Sequence, residues 1–177
     1  MFIQPQIDRD LEEFAEHTLT CLTDANGVSV YEAKKPGTMI NSLTVAFLPN
    51  HICITGDYCP GLHGVVSAYG YGRGWFAGKL GADYLAEKFL QKGWHPDNAR
   101  QWLIEQAKEY PGVAEKLLAM TTHDELLCDP DSFTEEFDEV VPGTDWDSSP
   151  WGYNPLEVFQ LTVCQRVFSR LYKEANG

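Results

Sequence analysis

At residue 81 the hydrophobic pattern of this chain changes period, and no other feature limits the fold as strongly. Before that point the apolar runs are short, rich in β-branched residues and broken by turn formers. Asn26-Gly27 is a hairpin signal, and Val28, Val30 and Tyr31 follow it as a strand. Lys35-Pro36-Gly37 marks a second turn, Met39 to Leu48 forms the next run, and Pro49-Asn50 separates it from His51 to Thr55. Leu62 to Tyr69 reads as a further strand. None of these connections could hold a crossover helix, so the sheet must be antiparallel.

After residue 81 the period is helical. Tyr84, Leu85, Phe89 and Leu90 share one face, as do Trp102, Leu103, Ile104 and Ala107, and then Val113, Leu117 and Leu118. Ser132 and Glu135 have capping-box spacing at the head of a short acidic helix. Asn154 and Pro155 suit the start of the last helix, whose stripe of Leu156, Phe159, Val163, Cys164, Val167, Phe168 and Leu171 must face a core. At the other end, Ile7, Leu11, Phe14 and Ala15 predict a first helix over roughly 8–22. The expected fold is therefore α+β: an N-terminal helix, a small antiparallel sheet of about three to five strands, and about four or five helices packed on it. With 177 residues and no linker or internal repeat, it reads as a single globular domain, 1–177.

Charge narrows the class of function. The 26 acidic residues against 13 Lys and Arg leave a net charge of -13, which excludes direct, sequence-independent binding to nucleic acid or to an anionic membrane. The opening residues lack the basic and apolar regions of a secretory signal, and no apolar run is long enough to span a bilayer. Five scattered cysteines, Cys21, Cys53, Cys59, Cys128 and Cys164, suit reduced thiols better than a disulfide framework. The expected compartment is the cytoplasm.

The common catalytic and nucleotide-binding motifs are missing. Tyr69 to Trp75 alternates Gly with Tyr, Arg and Trp but has no phosphate-cradle lysine, so it reads as a flexible connection, with a ligand loop as the alternative. His51, Cys53, Cys59 and His63 are soft donors at short spacing, yet they do not form a zinc-knuckle pattern, and we expect no metal and no cofactor. Asp129 to Phe133 begins like a calcium loop but has Thr134 where the sharp turn needs Gly. Asp57, after Thr55-Gly56 at a strand end, occupies a position where catalytic acids occur, although Asp is equally common in turns. His17, His95 and His123 have no nucleophile beside them and are expected on the surface.

The acidic stretch is the sharpest feature. Asp124 to Asp147 contains ten carboxylates and no Lys or Arg, with Phe133, Phe137, Trp146, Trp151 and Tyr153 in or beside it. Carboxylates that steer and aromatics that anchor could dock on a basic protein surface. The competing reading is a solvated acidic face whose aromatics are core.

Three stretches also resemble a widespread group of small, uncharacterised bacteriophage accessory proteins: Pro49 to Asp57, Tyr71 to Ala77 leading into Tyr84 to Leu90, and the aromatic helix from Trp151 to Tyr172. The resemblance rests mainly on the Ile-Thr-Gly-Asp strand turn, and this chain departs from it after Asp57. It implies a viral product acting inside a bacterial host and assigns no catalytic residue. Together these readings lean towards a non-enzymatic, anti-CRISPR-like counter-defence inhibitor that binds a host protein, with a basic nucleic-acid-binding protein as the expected target. Its contact residues would be Asp129, Asp131, Glu135, Glu136, Asp138, Glu139, Asp145, Asp147 and Trp146. The alternative is a small enzyme or ligand-binding domain with a pocket near Asp57, Arg73 and Trp75.

Overall fold

The computed structural model describes residues 4–59, 61–65, 72–143 and 150–177. Its architecture is α+β: an N-terminal helix, a five-stranded antiparallel sheet and then several helices. The chain divides into two compact units, 1–90 with 156–177, and 91–155.

In the first unit, α1 (Gln4–Glu13) leads into β1 (Thr18–Ala25), β2 (Val28–Lys34), β3 (Leu43–Leu48), β4 (His51–Gly56) and β5 (Leu62–Val65), which pair in sequence order as a meander. The first helix thus stops well short of residue 22. Thr18, Thr20 and Thr23 favour extended backbone, and the ladder from Thr18↔Lys34 to Ala25↔Val28 overrides the weaker helical pattern. Asn26 and Gly27 both take positive φ, as a two-residue hairpin loop whose twist matches its strands requires. The strand expected from Met39 begins only at Leu43, and β5 ends at Val65, the rest of the expected Leu62–Tyr69 run lying outside the described residues.

Register builds the core row by row. Tyr31, Val45, Ile54 and Leu62 align across β2 to β5, as do Ser29, Phe47, Ile52 and Gly64, and both rows are buried. Helices α2 (Arg73–Phe76), α3 (Ala82–Phe89) and α8 (Pro155–Asn176) supply the other side of this core. Gly64 makes room for Phe89, because a Cβ there would lie 2.8 Å from its ring. From α8, Phe159, Val163, Val167, Phe168 and Leu171 are buried as the stripe predicts, whereas Leu156 is exposed. Burying each such side chain contributes about 1.5–3 kcal/mol.

Polar groups of α8 complete the fit. The side-chain amide of buried Gln165 donates to the carbonyls of Phe76 (2.7 Å) and Gly78 (2.8 Å), and Ser169 Oγ donates to that of Ala77 (2.6 Å). These are carbonyls at and just past the end of α2, groups that a helix cannot satisfy internally. Arg170 donates to the Phe14 carbonyl (2.6 Å) and thereby ties down the end of α1. His17, expected on the surface, is buried beside Phe14, its ring centroid 4.8 Å away, with neither ring nitrogen hydrogen-bonded among the described residues.

The second unit contains α4 (Pro96–Glu109), a 3-10 turn (Pro111–Val113), α5 (Ala114–Met120), α6 (Asp124–Cys128) and α7 (Pro130–Val140), with a ribbon formed by β6 (Gly93–Trp94) and β7 (Trp151–Gly152). These helices close on their own core of Trp102, Leu103, Leu117, Leu127, Phe133 and Phe137, with Ala99, Ala107, Met120 and Val141 around it. Of the helices expected on the sheet, α4 to α7 have this separate core, distinct from the sheet's. Trp94 Nε1 donates to the Leu127 carbonyl (2.8 Å), fastening the ribbon to the helices.

Replacing Gln165 with Leu keeps the volume but strips one buried and one half-buried carbonyl of their donor, which should cost about 2–3 kcal/mol. We expect the melting temperature to fall by roughly 4–12 °C in calorimetry; an unchanged value would mean that these hydrogen bonds add no stability.

Candidate functional site

Three places were marked by the sequence, and the structure gives each a different character. The first is the Thr-Gly-Asp turn. Gly56 sits at φ 148°, and a Cβ on it would fall 2.1 Å from the Ser42 carbonyl oxygen, so only glycine fits. Beyond it, the Asp57 carboxylate accepts from the Asn41 amide (2.8 Å), and the Asp57 amide donates to the Ser42 carbonyl (3.1 Å). Asn41, itself at positive φ, donates through its side chain to Glu13 (2.8 Å). Asp57 therefore ties the turn before β3 to the end of β4 and, through Asn41, to the end of α1. This is a brace between three elements.

Nor does Asp57 meet Arg73. Asp57 follows the Gly56–Leu43–Ala33 row at one end of the sheet, whereas Arg73 binds Asp24, next to the β1–β2 hairpin at the other. Arg73 also donates to the Tyr31 hydroxyl (3.0 Å). Asp24 first and then Tyr31 hold the guanidinium pKa above its ordinary value, while burial pushes the Tyr31 phenol up. Trp75, half-buried, meets Tyr84 edge-on, with ring centroids 6.1 Å apart. A depression of about 360 Å³ does open beside Arg73, but Leu19, Cys21, Tyr31 and Tyr172 line it in place of Asp57 and Trp75.

The second place is the set of soft donors, which divides. Cys59 is fully buried against Cys164 of α8. Their shared hydrogen bond lowers the Cys59 pKa and raises that of Cys164, which burial raises further. His51, Cys53 and His63 instead point to the solvent side of β4 and β5, since Ile52, Ile54 and Leu62 take the core side. Among the described residues, no group of three or more His, Cys, Asp or Glu side chains is placed to hold a metal ion.

The third place is the acidic stretch. Its helix α7 is capped by Asp129, three residues before the expected cap Ser132: the carboxylate accepts from Ser132 Oγ (2.6 Å) and from the Asp131 amide (3.2 Å). The Ser132 bond first and the Asp131 bond second lower the Asp129 pKa. Pro130 at the first helical position makes the earlier start favourable. Phe133 and Phe137 are wholly buried against Trp102, so they hold the helix in its unit and cannot anchor a partner. The other face carries Asp131, Glu135, Asp138 and Glu139, all exposed, with Glu136 half-buried at its flank. Asp145, Trp146 and Asp147 lie outside the described residues. Trp151, on the ribbon, is 55% exposed.

Electrostatically this face is uncompensated. Residues 91–155 contain 14 acidic residues against 4 Lys and Arg, a net -10, while the other unit has 12 against 9, a net -3. Arg100 pairs with Asp97 and Asp124, each at 2.8 Å, but none of the α7 carboxylates forms an ion pair among the described residues. Asp131, Glu135 and Asp138 repeat at helical spacing, so like charges face each other. Asp138 and Glu139 stand in the last turn, where the helix dipole favours cations and where no basic residue is present. Sequence reasoning saw these charges and the lack of Lys and Arg around them but not that Asp131, Glu135, Asp138 and Glu139 are all exposed.

Compared with protein-family models, curated proteins and solved structures, the chain matches none. Among the described residues no helix is long and apolar enough to cross a membrane.

If the Thr-Gly-Asp turn is a brace, Gly56→Ala should cost about 3 kcal/mol or more, and Asp57→Asn, which keeps an acceptor oxygen, within about 1 kcal/mol. Denaturant titration of both variants checks this order; a harmless Gly56→Ala would refute the close approach to Ser42.

Proposed function

We propose that this chain is a non-enzymatic interaction protein whose α6–α7 acidic face binds a basic protein surface. The supporting observation is that Asp138 and Glu139 oppose the helix dipole with no cation beside them. Such placement destabilises the free protein, and a cationic partner would offset the cost. Carboxylates spaced along a rigid helix can compete with phosphates for Arg and Lys, so the fitting partner is a nucleic-acid-binding protein whose basic groove is occupied. The concrete form is a bacteriophage product that inhibits a host defence protein of that kind. What supports this finer reading is the resemblance in the Thr-Gly-Asp region together with the acidic field.

The test separates binding from stability. Neutralising Glu135, Glu136, Asp138 and Glu139 to their amides removes like-charge and dipole repulsion, each contribution being about 0.3–1 kcal/mol. We expect the melting temperature to rise while affinity for a partner captured from bacterial lysate falls. Capture should be stoichiometric at about 50 mM salt and lost at about 500 mM. Unchanged affinity in the tetra-amide variant would sink the proposal.

A further inference from the structure

Two thiols meet inside the sheet unit, and the proposed acidic contact makes no use of them. Cys59 stands in the connection between β4 and β5, and Cys164 in the middle of α8. Both are wholly buried in the core that the sheet shares with α8. Their neighbours fix the placement. One turn before Cys164, on the same side of the helix, Gln160 donates to the carbonyl of Tyr58, the residue next to Cys59 (3.3 Å). The Tyr58 hydroxyl in turn donates to Asp10 of α1 (2.7 Å), so two helices hold this connection. The other three cysteines differ: Cys21 and Cys128 are exposed, and Cys53 is half-buried on the outer face.

The contact gives the two thiols unequal parts. The Cys164 thiol donates to Cys59 Sγ, which also accepts from the Gly61 amide, and the first of these bonds outweighs burial in lowering the Cys59 pKa. Cys164, the donor, is kept as the thiol by the same bond and by burial. A sulfur with thiolate character beside a protonated one is the pairing that peroxide oxidation uses, the first attacking and the second resolving.

We propose that Cys59 and Cys164 are a redox modification site, closing to a reversible disulfide with hydrogen peroxide as the oxidant. The Cys59 thiolate attacks one peroxide oxygen, the O–O bond breaks, and hydroxide leaves and is protonated to water. Cys164 sulfur then attacks the sulfenic sulfur of Cys59. The S–S bond forms, the S–O bond breaks, and the departing hydroxide takes the Cys164 proton as a second water. Two thiols are oxidised and one peroxide is reduced to two waters. The pair stands ready as it is, and only the oxidant must enter. Cys59 lies outside the strand ladders, where local opening admits a molecule of that size. The new bond would fasten the β4–β5 connection to α8 and close a loop of about a hundred residues, a strong restriction on the unfolded chain.

The test uses the full chain carrying Cys21→Ser, Cys53→Ser and Cys128→Ser, which leaves only the buried pair; circular dichroism confirms that the fold persists. The folded protein is treated with a slight excess of hydrogen peroxide, quenched, unfolded and alkylated. We expect both thiols to be lost together, the intact mass to fall by two hydrogens, and one digested fragment to contain both cysteines. Dithiothreitol should restore both thiols. The melting temperature of the oxidised chain should rise by roughly 5–15 °C. Two thiols still open to alkylation, oxygen added to sulfur without a cross-link, or a covalent dimer would each overturn the pairing. An oxidised chain that melts no higher than the reduced one would overturn the fastening of α8.

Discussion

The sheet unit depends on one arrangement, the placement of α8 across the core face of the meander. A five-stranded antiparallel sheet with one apolar face cannot remain exposed, and α8 covers it with Phe159, Val163, Val167, Phe168 and Leu171. The apolar stripe alone would let the helix slide or rotate, since hydrophobic burial is non-directional. Gln165, Ser169 and Arg170 remove that freedom, because each has a carbonyl at a fixed place to meet. Three consecutive carbonyls, from Phe76 to Gly78, receive donors from the last helix of the chain. Residues about ninety positions apart in sequence are thus locked by directional bonds at buried and partly buried carbonyls, where an unmade bond is expensive.

Much of this was legible in the sequence for a simple reason: period and turn chemistry are local. Asn26-Gly27 announces its hairpin because both residues tolerate positive φ, and the stripe of α8 is visible at every third or fourth residue. What escaped was decided at long range. Thr18 to Thr23 continues a helical pattern but becomes a strand because β2 lies beside it. Gln165 reads as an ordinary polar residue on the helix, and only the position of α2 makes it an anchor. The second core escaped as well, because the helical spacing of Trp102, Leu103, Leu117 and Phe133 shows that they are buried but not which elements they are buried against.

The Thr-Gly-Asp turn shows how a residue pattern suggestive of chemistry resolves into mechanics. An aspartate at a strand end invites a catalytic reading, yet here its carboxylate holds the Asn41 amide while Gly56 lets the Ser42 carbonyl approach. The requirement for glycine is steric, and the requirement for aspartate is an acceptor at the right distance. The residues of the suspected pocket separate for the same reason, since the meander sends Asp57 and Asp24 to opposite ends of the sheet and Arg73 pairs with Asp24.

The acidic unit raises the opposite question, of why a helix should carry charges that oppose it. Phe133 and Phe137, buried against Trp102, hold α7 firmly enough that repulsion on its outer face does not unfold it. Those aromatics had also seemed suited to contact a partner, and their burial leaves the proposed steering and contact on this helix to the carboxylates. Attraction that depends on charge with little apolar anchoring is long-ranged, fast to form and sensitive to salt. It favours a partner that presents many cations along a line over one with a single deep pocket. A groove built for a phosphate backbone has that character: its Arg and Lys residues are spaced to neutralise a row of charges, and one face of α7 offers such a row on a rigid support.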